Sequence, residues 1–375
     1  MQDITFPTII PVARPELPRA EAILPYLREI DASHVYTNGG ALMLRFEQTL
    51  ARHYGADLLL CHASGTAGLV AALLALRPMR GALCMMPAWS FAASAHAARM
   101  AGLTPWFVDV DRNGALTPDL ALAALAMAPS PVAAVMAVMP FGAPVDAMGW
   151  EEFRERAGLP VVIDGAAAFD TLRPSSIPTV VSLHATKVFG VGEGGFTTCT
   201  DLAYMNVLRS VLNFGFDGGH SAGLPALNGK MSEYASAVGL AALPDWPEKR
   251  RAHMQVARFY RERLPQGIEV PTGFGDGWVS SALSVRLQED SLVMAERALA
   301  RRGIGTKRWW QTGLHRMPAF ADCPRLHAPA TDGFAATTLG LPFYPGLTRS
   351  QVHDICAILE EVLAGRHSSV VPQRT

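Results

Sequence analysis

The feature that most constrains the fold is an alternation of short apolar runs with alanine-rich stretches between about residues 55 and 200. The apolar runs, which we predict to be strands, are DLLLCHA, ALCMMP, TPWFVDV, VAAVMAVMP, PVVIDGA, TVVSLHA and FTTCT. Segments such as AGLVAALLAL and PDLALAALAMA lie between several of them and are predicted to be helical. Strands that alternate with helices imply an α/β fold with a mainly parallel sheet covered on both faces.

The character of the chain changes after about residue 245. The segment PDWPEKRRAHMQVARFYRERL is charged and helical, and it is typical of a long helix that connects two domains. Beyond it we predict a strand in WVSSALSVRL, a helix in DSLVMAERALARRG and a last helix in TRSQVHDICAILEEVL. The sequence therefore predicts a large domain over 1–245 and a smaller α+β domain over 246–375, whose tail HSSVVPQRT is expected to fray.

Charge and cysteine content exclude several classes of protein. The 375 residues carry a net charge of −1, so no basic field indicates a nucleic-acid partner. The five cysteines are scattered singly, which favours a reducing compartment over a disulfide framework, and we predict no metal site. The stretch 58–76 lacks charged residues but is broken by HASGT, which suits a buried strand, a turn and a buried helix better than a membrane span. The N-terminus lacks a signal peptide, and we expect a soluble, cytoplasmic protein without membrane contact.

A small polar motif, Ser64-Gly65-Thr66, follows the first apolar run and opens a long apolar helix. Free backbone N–H groups and the helix dipole at such a start favour an anion, so the motif is a candidate phosphate site. A simple N-cap is the alternative, and for this motif alone it is favoured because such caps are common.

An acid and a lysine end two of the predicted strands. Asp164 follows three β-formers in VVIDGAA, which places its carboxylate at the carboxyl end of a parallel strand, where ligands bind. A protonated ring nitrogen, a metal or a backbone cap could partner it, and a structural turn aspartate is equally compatible. Lys187 stands 23 residues later, before a glycine-rich stretch, and it is one of only four lysines in the chain. Apolar surroundings would lower the pKa of this lysine and favour Schiff-base chemistry over a solvated loop position.

Aromatic residues follow the run ALCMM in the segment PAWSFA. Phe91 or Trp89 could stack on a planar cofactor ring, although core packing is the usual role of an isolated aromatic residue. A phosphate site, a stacking group, an acid and an amine, in this order, together meet the requirements for binding pyridoxal 5′-phosphate (PLP). No GxGxxG motif opens an early βαβ unit, which disfavours a nicotinamide enzyme.

These motifs resemble those of the DegT/DnrJ/EryC1/StrS family of PLP-dependent sugar aminotransferases. The similarity runs over almost the whole chain, and SLHATKVFGVGEGGF is its most specific segment. The other matching segments are IPVARPELP, YTNGG, LRFEQTLARHYGA, HASGTAGL, PAWSFAASAHA, FVDVD, VMPFGAPVD, VVIDGAAAF, ALNGKMSEYASAVGLAAL and LGLPFYPGLT. The resemblance implies the fold type I architecture of aspartate aminotransferase.

The resemblance also implies roles for individual residues. Lys187 would form the Schiff base with PLP, Asp164 would pair with the ring nitrogen, and Phe91 would stack on the ring. Asn228 would reach the phosphate of the neighbouring subunit, which implies a homodimer with shared active sites. The phosphate of the same subunit would be held by Gly65, Thr66 and Ser182.

The chain departs from the family at three places. Ala167 stands three residues after the aspartate, where His or Gln is usual beside the phenolic oxygen of the cofactor, and this leaves the substrate open. Lys230 replaces a usual arginine, and Gly40-Ala41 replaces a frequent Gly-Pro. Candidates for the substrate side are the segment YTNGG with Asn38, then His184, Phe189 and Trp309-Trp310, and for these ordinary packing is the favoured alternative.

The reaction implied by the resemblance moves an amino group from a donor, expected to be glutamate, to a keto sugar attached to a nucleotide. Lys187 would move the proton between the donor's α-carbon and the cofactor. The alternatives are amination of a cyclitol or other cyclic ketone, sugar dehydration, and a regulator that only binds cofactor or sugar nucleotide. Relatives that dehydrate tend to replace the lysine with histidine, so Lys187 disfavours dehydration, and the intact set of cofactor residues disfavours the regulator.

Overall fold

The computed structural model describes residues 10–216 and 218–365, and its larger part is built on one seven-stranded sheet. The strand order is β1-β7-β6-β5-β4-β2-β3. The strands are β1 (Leu59–His62), β2 (Leu83–Pro87), β3 (Thr104–Val108), β4 (Val132–Val138), β5 (Val161–Asp164), β6 (Thr179–Ser182) and β7 (Gly195–Thr198). Each of the seven predicted strands is confirmed, in a mostly parallel mixed sheet.

One strand runs against the others. β7 is antiparallel to both of its neighbours, β1 and β6, while β6, β5, β4, β2 and β3 pair in parallel. The carboxyl ends of the other six strands therefore meet at one edge of the sheet, where ligands bind in folds of this kind. Asp164 ends β5 and Ser182 ends β6 at this edge, which we call the catalytic edge.

Helices cover both faces of the sheet, as predicted. Along β2, Cys84 and Met86 pack into a core with α3 and α4, whereas Leu83 and Met85 pack on the other face into a core with α5 and α6. This alternation follows from the period of two in a strand. The helices are α1 (Ala20–Ser33), α2 (Ala41–Tyr54), α3 (Gly65–Ala75), α4 (Ala92–Met100), α5 (Pro118–Leu125), α6 (Ala147–Ala157), α7 (Leu202–Leu212), α8 (Glu233–Ala242), α9 (Trp246–Arg263), α10 (Glu289–Arg301), α11 (Pro329–Thr337) and α12 (Arg349–Leu363).

A second, smaller core lies towards the C-terminus. The antiparallel pair β8 (Leu283–Arg286) and β9 (Thr338–Leu341) packs with α9, α10 and α12 around one cluster of buried apolar side chains. The predicted connecting helix and the two later helices are present as α9, α10 and α12. The predicted strand in WVSSALSVRL is shorter than expected, since only its second half pairs with β9.

The division at residue 245 does not follow the packing. Leu314, Phe320 and Cys323 lie in the core beneath α3 and α4, because their apolar side chains cover β2 and β3 of the large sheet. In the opposite direction, Ile10 pairs with Ile304 and packs on the small core. Segments from both ends of the chain thus cross between the two parts.

Two expectations concern the chain ends and membranes. The tail HSSVVPQRT lies outside the described residues. Within 10–216 and 218–365, no helix combines the length and apolarity needed to cross a membrane. The charge-free stretch 58–76 forms β1 and α3, as predicted from its polar interruption.

Candidate active site

The start of α3 lies against the end of β6. Ser64 caps this helix, since its Oγ accepts a hydrogen bond from the N–H of Ala67 at 3.1 Å. A Cβ atom on Gly65 would come within 2.8 Å of the Ser182 Cβ, so only glycine fits here. The first turn of α3, which includes Thr66, therefore lies directly against the hydroxyl side chain of Ser182. This arrangement suits a phosphate at the positive end of the helix.

A buried histidine packs between α3 and the sheet. His62 ends β1 and lies between α3 and β7, where a Cβ on either Gly68 or Gly195 would come within 2.4 Å of its ring. Its Nε2 lies 3.1 Å from the Thr197 hydroxyl. Burial lowers the pKa of His62 to about 4, so the ring is neutral and acts as packing. This role could not be predicted from the motifs, although Gly68 and Gly195, which leave space for the ring, were a signal in the sequence.

The carboxylate of Asp164 is held at the carboxyl end of β5. Its Oδ2 accepts a hydrogen bond from Ser94 Oγ at 2.6 Å, and its Oδ1 accepts one from the N–H of Ala166 at 3.1 Å. Burial raises the pKa of Asp164, while these two hydrogen bonds and the nearby charge of Lys187 oppose the rise. A buried carboxylate with such fixed oxygens is prepared for a cationic partner.

Ser94 is the residue that sequence reasoning missed at this site. It lies on α4, one turn after Phe91, and its hydroxyl also lies 2.8 Å from the hydroxyl of Ser90. Both hydroxyl groups are buried. A hydroxyl group in the first turn of α4 thus reaches the carboxyl end of β5. The signal was a serine three residues after the predicted stacking aromatic.

Lys187 lies in the loop between β6 and β7. This loop is closed by the hydrogen bonds Lys187 N–H to His184 O at 2.8 Å and Ala185 N–H to Gly192 O at 2.7 Å. Burial lowers the pKa of the Lys187 amine, and the charge of Asp164 opposes this. The two groups predicted from separate motifs are therefore close enough for each charge to act on the other.

Phe91 is the N-cap residue of α4, and 60% of its surface is exposed. A large aromatic side chain that is left uncovered next to a buried acid is available to stack on a planar ring. Trp89, two residues earlier, is buried and packs on Phe334 with ring centroids 5.6 Å apart. The structure thus assigns Trp89 to the core and leaves Phe91 as the stacking candidate.

Asn228 is exposed in the segment that follows α7. The next residue, Gly229, accepts a hydrogen bond from the N–H of Ala63 at 2.7 Å, which fixes this segment beside the start of α3. Lys230, which replaces the family's arginine, donates to Asn213 Oδ1 at 3.0 Å and lies over the Phe214 ring.

The position of Ala167 is close to the loop that follows β4. A Cβ on Gly142 would come within 2.3 Å of the Ala167 carbonyl oxygen, so the two backbones touch. Gly142 has a positive φ of 90°, and the preceding Phe141 has a φ of 53°. The small Ala167 side chain therefore stands where two loops of the catalytic edge meet.

His184 is occupied by local contacts. Its Nδ1 lies 2.8 Å from the Thr186 hydroxyl and its Nε2 lies 3.5 Å from Glu193. These contacts are within the Lys187 loop, so the structure gives His184 a part in holding that loop.

Two of the substrate-side candidates take part in packing. Phe189 is 1% exposed and stacks on Phe169 with ring centroids 4.2 Å apart, so a substrate does not reach it and we withdraw it. Trp309 packs against Gly340 of β9 under the Lys307 amine and on the aromatic cluster that contains Trp310, so packing accounts for it and we withdraw it as well. Trp310 is buried and stacks on Phe141. The sequence around these aromatic residues did not show whether they pack in the core or bind a substrate.

Asn38 lies in an exposed turn with a φ of 65°, just before α2. The turn ends at Gly40, where a Cβ would come within 2.5 Å of the Glu233 carboxyl carbon. That carboxylate accepts hydrogen bonds from the N–H groups of Leu42 and Met43, each at 2.8 Å, and so caps α2. The glycine of YTNGG is thus required by a capping acid, whereas Asn38 itself stays a candidate.

Comparison with known proteins agrees with this geometry. Residues 19–360 match the DegT/DnrJ/EryC1/StrS aminotransferase family. The chain belongs to this family. It is accordingly a PLP-dependent aminotransferase with a fold type I architecture.

Named relatives cover most of the chain. A dTDP-4-amino-4,6-dideoxy-D-glucose transaminase from Shigella dysenteriae is 32% identical over 283 residues, which cover 70% of this chain and 73% of that protein. The structure of a PLP-dependent aminotransferase from Bacillus cereus superposes with a TM-score of 0.88 at 27% identity and covers 94% of this chain and 99% of that one. The structure of DesI with its TDP-sugar product superposes with a TM-score of 0.85 at 29% identity and covers 97% and 96% of the two chains.

The residues of this family member fit its cofactor. The phosphate would lie at the start of α3, where Gly65 leaves space that a Cβ would fill. The ring nitrogen would meet Asp164, whose burial calls for a cation, and Phe91 is uncovered for stacking. PLP supplies an aldehyde that condenses with amines and a ring that withdraws electrons.

Proposed function

We propose that this chain transfers an amino group from glutamate to a keto sugar attached to a nucleotide. The observation that carries the proposal is that the half-buried Lys187 lies close enough to the buried Asp164 for their charges to interact, beside the anion-binding start of α3. The nucleotide-sugar substrate is supported by the names of the relatives, which include a dTDP-sugar transaminase and a UDP-sugar 3-aminotransferase.

The chain's own groups divide the work of the reaction. Asp164 keeps a ring nitrogen protonated, because a buried carboxylate is stabilised by the cation that it faces. Ser94 and the Ala166 N–H hold the orientation of that carboxylate. Burial lowers the pKa of the Lys187 amine and so favours its neutral form, which can take a proton from the donor's α-carbon and return it.

The surroundings of Lys187 suit anionic substrates. A small cavity next to this amine is lined by Arg14, Lys249 and Tyr344 among others. Lys249 donates to the Glu16 carbonyl, and the guanidinium of Arg14 is exposed. Cationic side chains at the approach to the amine attract a carboxylate or a diphosphate.

The test is the half-reaction of the PLP-loaded enzyme with L-glutamate. We expect conversion of the cofactor to its pyridoxamine form together with an equal amount of 2-oxoglutarate. If no common amino acid gives this conversion, the aminotransferase proposal fails for this chain. If glutamate fails but another amino acid succeeds, only the choice of donor is wrong.

The second half-reaction identifies the acceptor. The pyridoxamine form is offered 4-keto and 3-keto sugars on dTDP and UDP, and a cyclic ketone without a nucleotide serves as the control. We expect an amino sugar on a nucleotide as the product. Turnover of the free cyclic ketone alone would favour the cyclitol alternative.

We also propose that the enzyme works as a homodimer in which Asn228 serves the neighbouring site. Asn228 is exposed, and exposed aromatic side chains occur on the same part of the surface, such as Phe214 at 46%. Uncovered aromatic surface of this kind is typical of a contact between subunits.

Mixed subunits test this arrangement. Asn228→Ala and Lys187→Arg subunits are each expected to have low activity, and they are unfolded and refolded together. If Asn228 serves the neighbouring site, each hybrid dimer contains one intact site, so activity reappears on mixing. If activity stays at the level of the two separate variants, Asn228 acts in its own subunit or the protein is not a dimer.

A further inference from the structure

A cavity of about 760 Å³ lies between the large sheet and the small core, beyond the catalytic edge. We call it the interdomain chamber, and its walls include Trp89, Phe141, Ser284, Arg286, Phe334 and Thr338. Ligand sites for small molecules typically enclose about 300–1,000 Å³, so the chamber has the size of a binding site. Lys187, Asp164 and Phe91 are not among the residues that line it.

The small-domain wall of the chamber is the polar face of the pair β8–β9. One face of this pair packs into the small core. Its side chains, each at most 1% exposed, are Leu283, Val285, Leu339 and Leu341. The alternate residues Ser284, Arg286 and Thr338 therefore form the opposite face.

Three polar atoms of this face are buried and lack a partner within the described part of the chain. They are Ser284 Oγ, Thr338 Oγ1 and Arg286 Nε. Ser284 and Thr338 are each 5% exposed. A buried polar atom without a hydrogen bond is destabilising, so three on one wall favour an external partner in this space.

The large-domain wall is aromatic. Phe141 stacks on Trp310 with ring centroids 4.1 Å apart, and Trp89 stacks on Phe334. Trp89 and Trp310 also pack edge to face at 5.1 Å, so the four rings form one cluster, of which Trp89, Phe141 and Phe334 line the chamber. This wall lies next to two loops of the catalytic edge. Trp89 belongs to the loop after β2, two positions before Phe91, and Phe141 belongs to the loop after β4, directly before Gly142.

The charges around the chamber nearly cancel, because its lining includes three acidic and two basic residues, Asp111, Asp146, Glu269, Arg112 and Arg286. Arg286 is paired with Glu269 at 3.1 Å and lies over the Phe334 ring. Asp111 accepts N–H groups of its own loop, and Asp146 caps α6. The site thus offers hydroxyl groups, guanidinium N–H groups and aromatic faces with little net charge, which disfavours a strongly charged ligand.

From these observations we propose that the interdomain chamber is a second ligand site, which binds a neutral, polyhydroxylated molecule of the sugar class. Sugar hydroxyl groups both donate and accept, as Ser284, Thr338 and Arg286 require. The apolar C–H faces of a sugar ring pack on aromatic side chains such as Phe141. This site is separate from the Lys187 site, and the proposal does not depend on the identity of the aminated substrate.

The experiment uses the PLP-loaded enzyme and methyl α-D-glucopyranoside, methyl α-D-galactopyranoside and methyl α-D-mannopyranoside as probes. Saturation-transfer NMR detects binding of each glycoside. We expect at least one of them to bind wild-type enzyme, and we expect the signal to be lost in the Ser284→Ala/Thr338→Val variant. Thr337→Val is the matched control, because Thr337 donates to Gly333 O and is not among the residues that line the chamber. It should retain the signal.

Other outcomes overturn the proposal. Absence of binding by all three glycosides means that the chamber holds only water. Binding that persists in the double variant means that the glycoside sits elsewhere, such as the catalytic edge. Binding of acetate in place of the glycosides, with the same dependence on Ser284 and Thr338, makes the sugar class wrong. The glutamate half-reaction should change by less than about two-fold in the double variant, because the sites are separate, so this test is independent of the proposed function.

Discussion

The catalytic edge and the interdomain chamber differ in whether the protein itself provides hydrogen-bond partners for their buried hydroxyl groups. At the catalytic edge the Ser94 hydroxyl donates to Asp164 and lies within hydrogen-bond distance of Ser90, so the protein itself satisfies these groups. In the chamber the hydroxyl groups of Ser284 and Thr338 are equally buried but have no protein partner within the described residues. The catalytic edge is therefore preorganised by the chain, whereas the chamber is arranged for an external partner.

The largest effect should follow the loss of the amine at the catalytic edge. Lys187→Arg keeps a positive charge but cannot form a Schiff base or take a proton near neutral pH, so we expect the glutamate half-reaction to slow by about 1,000-fold or more. Single-turnover absorbance measures the rate. Lys307→Arg is the matched control, since Lys307 lies over Trp309 in the small part, and it should react like wild type. Equal slowing in both variants would contradict the assignment.

A smaller loss should follow removal of the charge at Asp164. Asp164→Asn keeps the shape and one acceptor oxygen, but it no longer stabilises a protonated ring nitrogen. We expect the same half-reaction to slow by about 100-fold while the cofactor still binds through α3. Rapid kinetics and a PLP titration measure the two properties separately. A variant with full activity would show that this carboxylate has only a structural role.

The hydrogen bond from Ser94 should change the pH dependence. This bond lowers the pKa of Asp164, which burial raises, so in Ser94→Ala the pKa of Asp164 rises further. The carboxylate is then protonated at higher pH, so the acidic limb of the half-reaction profile should move to higher pH and the reaction on that limb should be slower than in wild type. Ser236→Ala, which removes another buried hydroxyl group bonded to Ser232 O, should leave the profile unchanged. An unchanged profile in Ser94→Ala as well would contradict the role of Ser94.

The smallest effects concern stability at the chamber. Thr338→Val removes a buried hydroxyl group without a protein partner, so in the absence of a ligand the variant should be no less stable than wild type, and its free energy of unfolding should rise by up to about 1 kcal/mol. Thr337→Val removes a hydroxyl group bonded to Gly333 O and should cost about 1 kcal/mol. Urea unfolding of the two neighbouring variants compares them directly. A lower free energy of unfolding for Thr338→Val than for wild type would show that its hydroxyl group already has a partner.

The fold and the centre of the active site could be predicted because they depend on short-range patterns. The seven apolar runs specify the strands, and the positions of Asp164 and Ser182 at strand ends follow from them. Lys187 was identifiable because lysine is scarce and its loop is rich in glycine.

The rest could not be predicted because it depends on which faces meet in three dimensions. Ser94 reaches Asp164 only because the fold brings the first turn of α4 to the end of β5, and these residues are 70 positions apart in the chain. Phe189 and Trp309 occur beside informative motifs, yet their rings turn into packed surfaces. Long-range packing likewise places Phe320, from the C-terminal part of the chain, in the core of the large sheet, and it also forms the chamber.

The central claim is that one amine among four lysines holds the cofactor. The direct test is borohydride reduction of the PLP-loaded enzyme, followed by proteolysis and mass spectrometry of the peptides. We predict that the reduced cofactor is found on the peptide containing Lys187 and on none containing Lys230, Lys249 or Lys307. A label on one of the other three lysines, or no label on any peptide, would contradict the account.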